Sequence, residues 1–125
     1  PTAIREAITG LRRKYEGSRM WAIFEPRSNT TRRNVFQEAL PEALGQADAV
    51  CIAAVARADQ LDVEERLDTD LMMETLRAGG KPAYYEPDVE AIVSRLSSEA
   101  EDGDVIIVFS NGGFGGIHEK LLNVL

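Results

Sequence analysis

The sequence predicts an α/β domain of three layers, αβα, with a mostly parallel sheet in the Rossmann-like manner. Three observations lead there. Helix-like and strand-like stretches alternate along the whole chain. The strand-like runs are continuously apolar instead of alternating, as strands covered by helices on both faces are. Strands separated by helices pair in parallel and are joined by right-handed crossovers. At 125 residues the chain is one domain's worth, long enough to bury a core.

The elements follow in order. Ile4, Ala7, Ile8, Leu11 and Tyr15 recur at helical spacing. Met20–Phe24 (MWAIF) is a short apolar run that reads as the first strand. After a polar loop, Thr30 or Thr31 is expected to cap a helix whose inner face is Phe36, Ala39, Leu40, Ala43 and Leu44. Ala49–Ala54 is the second strand and Val55–Leu67 an acidic, irregular loop. A helix is expected from about Asp68 to Gly79-Gly80, a favourable C-terminal cap. Pro82–Tyr85 reads as a third strand. Pro87 in a first turn, with Asp88 and Glu90 near the positive end of the dipole, opens a helix with the apolar stripe Val89, Ile92, Val93 and Leu96. Val105–Phe109 (VIIVF) is the strongest strand pattern. The segment SNGGFGG leads from it into a last helix, 117–125.

Composition excludes several classes. No apolar stretch approaches the ~18–20 residues that cross a bilayer. One cysteine makes no internal disulfide, and one cysteine with one histidine cannot close a structural zinc site unaided. The net charge of −7 speaks against a nucleic-acid partner. Its distribution is uneven: residues 1–33 hold eight Lys/Arg and three acids, and the rest of the chain holds six and eighteen. A local basic surface on an acidic domain suits a small anionic ligand. The chain begins with Pro1 inside a helical pattern, so it is expected to be a piece of something longer.

In open parallel sheets ligands gather beyond the carboxyl ends of the strands, which selects two loops. The first carries Arg27, Ser28, Asn29, Thr30 and Thr31, then Arg32 and Arg33 in what would be the opening turn of a helix. A helix N-terminus presents unpaired N–H groups, and arginine forks match carboxylate and phosphate oxygens, so this loop is a candidate anion site. The plainer alternative is a threonine cap with arginines facing water. The second loop, Ser110-Asn111-Gly112-Gly113-Phe114-Gly115-Gly116, is richer in glycine than a turn needs and would let its backbone approach a ligand closely.

Neither loop binds a nucleotide by a known pattern. Gly113-x-Gly115-x-x leads to His118 where a dinucleotide fingerprint has its third glycine, and no GxxxxGK[ST] occurs. His118 reads as structural or solvent-facing. Cys51, Trp21, Met72 and Met73 read as core. The acids Asp59, Asp62, Glu64, Glu65, Asp68 and Asp70 read as a solvated face, because they lack a calcium-loop pattern.

The two loops also carry a family resemblance. FEPRSNTTRR (24–33) and SNGGFGGIHEKLL (110–122), with the opening PTAIREAITGLRRKY, resemble the C-terminal domain of the Mur ligase family, most closely its murein peptide ligases. The alanine-adding relatives carry a histidine where Arg27 stands and lack SNGGFGG. The resemblance implies that residues 1–125 are the last domain of a three-domain cytoplasmic enzyme, with no nucleic-acid or membrane partner. In such an enzyme the upstream domains hold UDP-N-acetylmuramate, ATP and Mg2+. ATP activates the sugar's carboxylate as an acyl phosphate. The α-amine of L-alanyl-γ-D-glutamyl-meso-diaminopimelate attacks it, returning cell-wall peptide to peptidoglycan synthesis.

The resemblance implies that Arg27, Ser28, Asn29, Thr30, Arg32, Arg33, Ser110, Asn111, Gly112 and Gly113 bind the peptide. It also implies that the piece alone is catalytically silent and holds no metal. The alternative from another class is a free-standing α/β module that binds an anionic metabolite without catalysis. A ligase of the same superfamily with another amino-acid substrate is a weaker third reading.

Overall fold

The computed structural model describes residues 2–27, 31–110 and 116–124. In chain order these form α1 (Thr2–Lys14), β1 (Met20–Phe24), a 3-10 turn (Asn34–Phe36), α2 (Ala39–Leu44), β2 (Ala49–Ala53), a second 3-10 turn (Ala58–Gln60), α3 (Thr69–Ala78), β3 (Ala83–Glu86), α4 (Val89–Glu99), β4 (Val105–Phe109) and α5 (Ile117–Val124). The strands form one sheet in the order β3-β2-β1-β4, and every pairing is parallel.

The period of two along β1 sorts the molecule into its layers. Met20, Ala22 and Phe24 face a core built from Ile8 of α1, Leu40 and Leu44 of α2, and Met72, Met73 and Leu76 of α3. Trp21 and Ile23 face the opposite core, with Ile92, Val93 and Leu96 of α4 and Ile117 and Leu121 of α5. All ten residues of β1 and β2 are buried. This is the predicted αβα sandwich, three helices on one face and two on the other. Cys51, Trp21, Met72 and Met73 are core residues, as expected.

Helix boundaries follow local chemistry. The Asp68 side chain accepts from the Leu71 N–H at 3.0 Å, capping α3. At its other end Gly80, at φ +81°, lets the Gly80 and Lys81 N–H groups return to the Arg77 and Leu76 carbonyls, a Schellman closure. Asp88 caps α4 through the Ala91 N–H at 2.8 Å. Pro87 therefore stands one residue before the cap, not in the first turn. VIIVF, the most apolar run, lies at an edge of the described sheet, and only Ile107 of β4 is buried.

The expected helix from Thr30 or Thr31 does not form. Thr31 and Arg32 make a turn and Arg33 is extended, bridging antiparallel to Arg66. The Leu67 N–H bonds the Arg32 carbonyl at 2.9 Å and the Asn34 N–H bonds the Glu65 carbonyl at 3.0 Å. A helix begins only at Ala39, with Glu38 at its N-cap and no side-chain cap bond. Pro41 gives the physical reason: it lacks an N–H and would break a helix started ten residues earlier, but fits the first turn of one started at Ala39.

Candidate functional site

Chain order puts β2 and β3 on one side of β1 and β4 on the other, so the direction of winding reverses between β1 and β4. At such a switch point the two outgoing loops part and leave a crevice. Phe24 pairs with Phe109 at the carboxyl end, and the Glu25 N–H continues the ladder to the Phe109 carbonyl at 3.1 Å. The two loops singled out in the sequence therefore leave the sheet side by side. Between them lies a cavity of about 260 Å³, lined by Ile4, Phe24, Glu25, Thr31, Val108, Phe109 and Ser110.

Glu25 is the polar centre of this cavity, and sequence reasoning missed it. Its side chain is only 13% exposed. The Ser110 hydroxyl donates to its Oε1 at 2.6 Å, and Arg27 Nη1 stands 3.9 Å from its Oε2. The available signal was its place: Glu25 is the first polar residue after the buried run MWAIF. An acid there is held at the mouth of the sheet by the strand itself.

The predicted arginines do not converge. Arg27 is 47% exposed beside Glu25. Arg33 points to the acidic loop and pairs with Glu65 at 3.0 Å. Arg32 is 5% exposed, and its Nη2 lies 3.4 Å from the Arg57 carbonyl. Burial, with Arg57 and Arg33 nearby, draws its pKa below the ordinary arginine value; a guanidinium keeps its charge there at neutral pH. The helix N-terminus expected at Arg32 and Arg33 does not form, because that backbone pairs with residues 65–67. Ser28, Asn29, Thr30, Asn111, Gly112 and Gly113 lie outside the described residues, as does the side chain of His118.

A second element missed in the sequence joins the first loop from β2. The Ala56 N–H bonds the Pro26 carbonyl at 2.9 Å, and Arg57 adopts a left-handed backbone, φ 50° and ψ 44°. A non-glycine residue held there is strained. The acids Asp59, Asp62, Glu64, Glu65, Asp68 and Asp70 are exposed, as expected. Among the described residues no group of three His, Cys, Asp or Glu side chains is placed to hold a metal ion. Among the described residues no helix is long and apolar enough to cross a membrane.

Comparison with known proteins places this geometry. The family described as "Mur ligase, glutamate ligase domain" matches residues 1–112. The chain belongs to the Mur ligase family. Against the UDP-N-acetylmuramate–L-alanyl-γ-D-glutamyl-meso-2,6-diaminoheptandioate ligase of Escherichia coli K12, this Mur ligase domain is 37% identical over 126 residues, 100% of its own length and 25% of the relative's. The chain thus spans about a quarter of the curated relatives it matches.

Two solved structures share the fold. The murein peptide ligase of Psychrobacter arcticus 273-4 superposes with a TM-score of 0.80 at 30% identity, over 99% of this chain and 25% of that one. A domain from a putative ligase of the same description, from Haemophilus ducreyi, gives 0.70 at 32% identity, over 98% of this chain and 81% of that one. The second was solved as a domain.

Proposed function

We propose that this Mur ligase domain receives the peptide substrate of an ATP-dependent amide ligase, which joins L-alanyl-γ-D-glutamyl-meso-diaminopimelate to UDP-N-acetylmuramate in peptidoglycan recycling. The observation that carries this reading is the match of the whole chain, at 37% identity, to a quarter of a ligase named for that reaction. The place of the two loops supports it: they meet at the switch point, where this class of sheet binds ligands.

ATP and Mg2+ do not fit the described residues, which offer no metal cluster, and the sequence has no P-loop. In this reading they bind to the other domains of a cytoplasmic enzyme, where they activate the sugar's carboxylate. The role of this chain is to hold the peptide so that its amine meets that carboxylate, a contribution of proximity and orientation. Arg27 is the arginine set to meet a peptide carboxylate directly, with Ser28, Asn29, Thr30, Ser110, Asn111, Gly112 and Gly113 completing the two walls. Arg32 and Arg33 act from behind, one buried beside the Arg57 carbonyl and the other paired with Glu65.

Ligation by the full-length enzyme tests this. Arg27→Ala is expected to raise KM for the tripeptide by about tenfold or more, the worth of one charge-assisted hydrogen bond. Arg33→Ala is expected to change KM less. A full-length enzyme that fails to ligate the tripeptide to UDP-N-acetylmuramate would overturn the reading. An unchanged KM in Arg27→Ala would move the peptide site elsewhere.

A further inference from the structure

The described sheet ends on one side at β3, and the backbone groups along that edge can be followed one by one. Val50 stands opposite Ala83 in the register, and its N–H bonds the Pro82 carbonyl at 3.0 Å. Bonding residues alternate along a parallel ladder, so residues 82, 84 and 86 turn their backbone groups to β2, and Ala83 and Tyr85 turn theirs outward. A groove of about 490 Å³ lies along this edge, larger than the cavity between the two loops. Asp70, Met73, Glu74 and Arg77 of α3 line it from one face of the sheet, and Arg95 of α4 lines it from the other. The two helical layers thus leave the strand edge open between them, with Tyr85 39% exposed. An open edge is a template for another strand.

One side chain occupies that template. Arg77 donates from Nε at 3.2 Å and from Nη2 at 2.8 Å to the outward carbonyl of Ala83. A pairing strand would lie about 4.8 Å from β3 and set its own N–H on that oxygen. The guanidinium stands in its place. Glu74 lies one turn before Arg77 and Asp70 two turns before, on the same helical face. Among the described residues Arg77 bonds neither acid and is turned to the strand instead.

The strand is four residues long and bracketed by Pro82 and Pro87, so it matches a strand as short as itself. Two copies related by a two-fold axis would pair their β3 strands antiparallel, in one of two symmetric registers. Centred on Tyr85, the pairing sets Pro87 opposite Ala83, and proline has no N–H to give. Centred on Ala83, the copies exchange N–H and C=O at that residue, and Tyr85 meets Lys81. The first register is closed by Pro87 and the second by the fork of Arg77. We infer that the β3 edge is an interaction surface for a second copy of this chain, held shut by Arg77. Withdrawing the guanidinium frees the Ala83-centred register and joins two sheets into one.

The test measures the mass of the full-length protein by light scattering as concentration rises, in salt that screens Asp70 and Glu74. The wild type is expected to keep one mass. Arg77→Met keeps the apolar stem and loses the donors; its mass is expected to climb reversibly to that of a dimer. Arg77→Lys, which still offers a donor to the Ala83 carbonyl, is expected to resist this. Adding Tyr85→Pro to Arg77→Met removes an outward N–H that the paired edge needs and is expected to restore the monomer. Hydrogen exchange reads the same event at single residues: the Ala83 and Tyr85 N–H groups of Arg77→Met slow with concentration. An Arg77→Met protein that stays monomeric would overturn the inference. So would association that survives Tyr85→Pro, as aggregation of a misfolded variant does. A wild-type dimer dispersed by Tyr85→Pro would overturn the role of Arg77 as the closure.

Discussion

The indole Nε1 of Trp21 donates to Oδ2 of Asp104 at 3.0 Å, joining the amino ends of β1 and β4 across 83 residues of chain. The same oxygen accepts from Arg19 Nη2 at 2.8 Å and from the Glu101 N–H at 3.0 Å. This side chain is 7% exposed. Burial raises its pKa, but the bonds from Arg19, Glu101 and Trp21 outweigh that and hold it below the ordinary value of 3.8. The depressed pKa means that Asp104 binds fewer protons folded than unfolded. Its stabilisation is complete above the unfolded value and is lost as pH falls through the native one. Asp104→Asn is expected to destabilise the domain by about 1–3 kcal/mol near neutral pH and to flatten the acid limb of the stability curve below pH ~4. Urea unfolding from pH 3 to 7 checks both.

Cys51 sits fully buried in β2, and burial pushes its thiol up to about 12, with Glu86 adding in the same direction. The thiolate is the reactive form. At pH 8 a thiol reagent is therefore expected to label native Cys51 at the rate of unfolding and the urea-unfolded chain within the mixing time. Prompt native labelling would show that β2 opens locally.

Gly45 closes α2, and a Cβ built there would lie 2.9 Å from the Pro41 carbonyl oxygen. Backbone cannot step aside as a flexible side chain can. Gly45→Ala is expected to cost about 1–3 kcal/mol, as overpacking does. Thermal unfolding measures it.

Arg57 holds φ 50° at the end of the β2 loop. An L-residue there costs about 1–2 kcal/mol relative to right-handed backbone, and glycine escapes most of that while losing more entropy on folding. Arg57→Gly keeps the carbonyl that Arg32 approaches and is expected to stabilise the domain by up to about 1 kcal/mol. A fall in melting temperature would mean that the guanidinium, not the backbone, matters at this position.

The rule that ligands gather at carboxyl ends of strands selected both loops, and the structure brings them together because β1 and β4 are neighbours. The direction of each side chain was not legible. Arg33 turns to Glu65 and Arg32 is buried toward the Arg57 carbonyl because backbone 31–34 pairs with residues 65–67. That pairing spans about thirty positions and leaves no periodic trace. Pro41 was the one local sign against a long helix. Glu25 went unread because an acid after a strand has no spacing pattern; its partner Ser110 is 85 residues away.

The sequence by itself determined the alternation of helices and strands, the burial of MWAIF and AVCIA on both faces, the start of α3 near Asp68 and its stop at Gly79-Gly80. Each rests on residues within a few positions of one another, where propensity, periodicity and capping act. The tertiary structure alone decided the order β3-β2-β1-β4, the edge position of the apolar VIIVF run, and the meeting of Glu25, Arg27 and Ser110. Those depend on which strand lies beside β1, a choice made by packing two helical layers against one sheet and invisible to any local window.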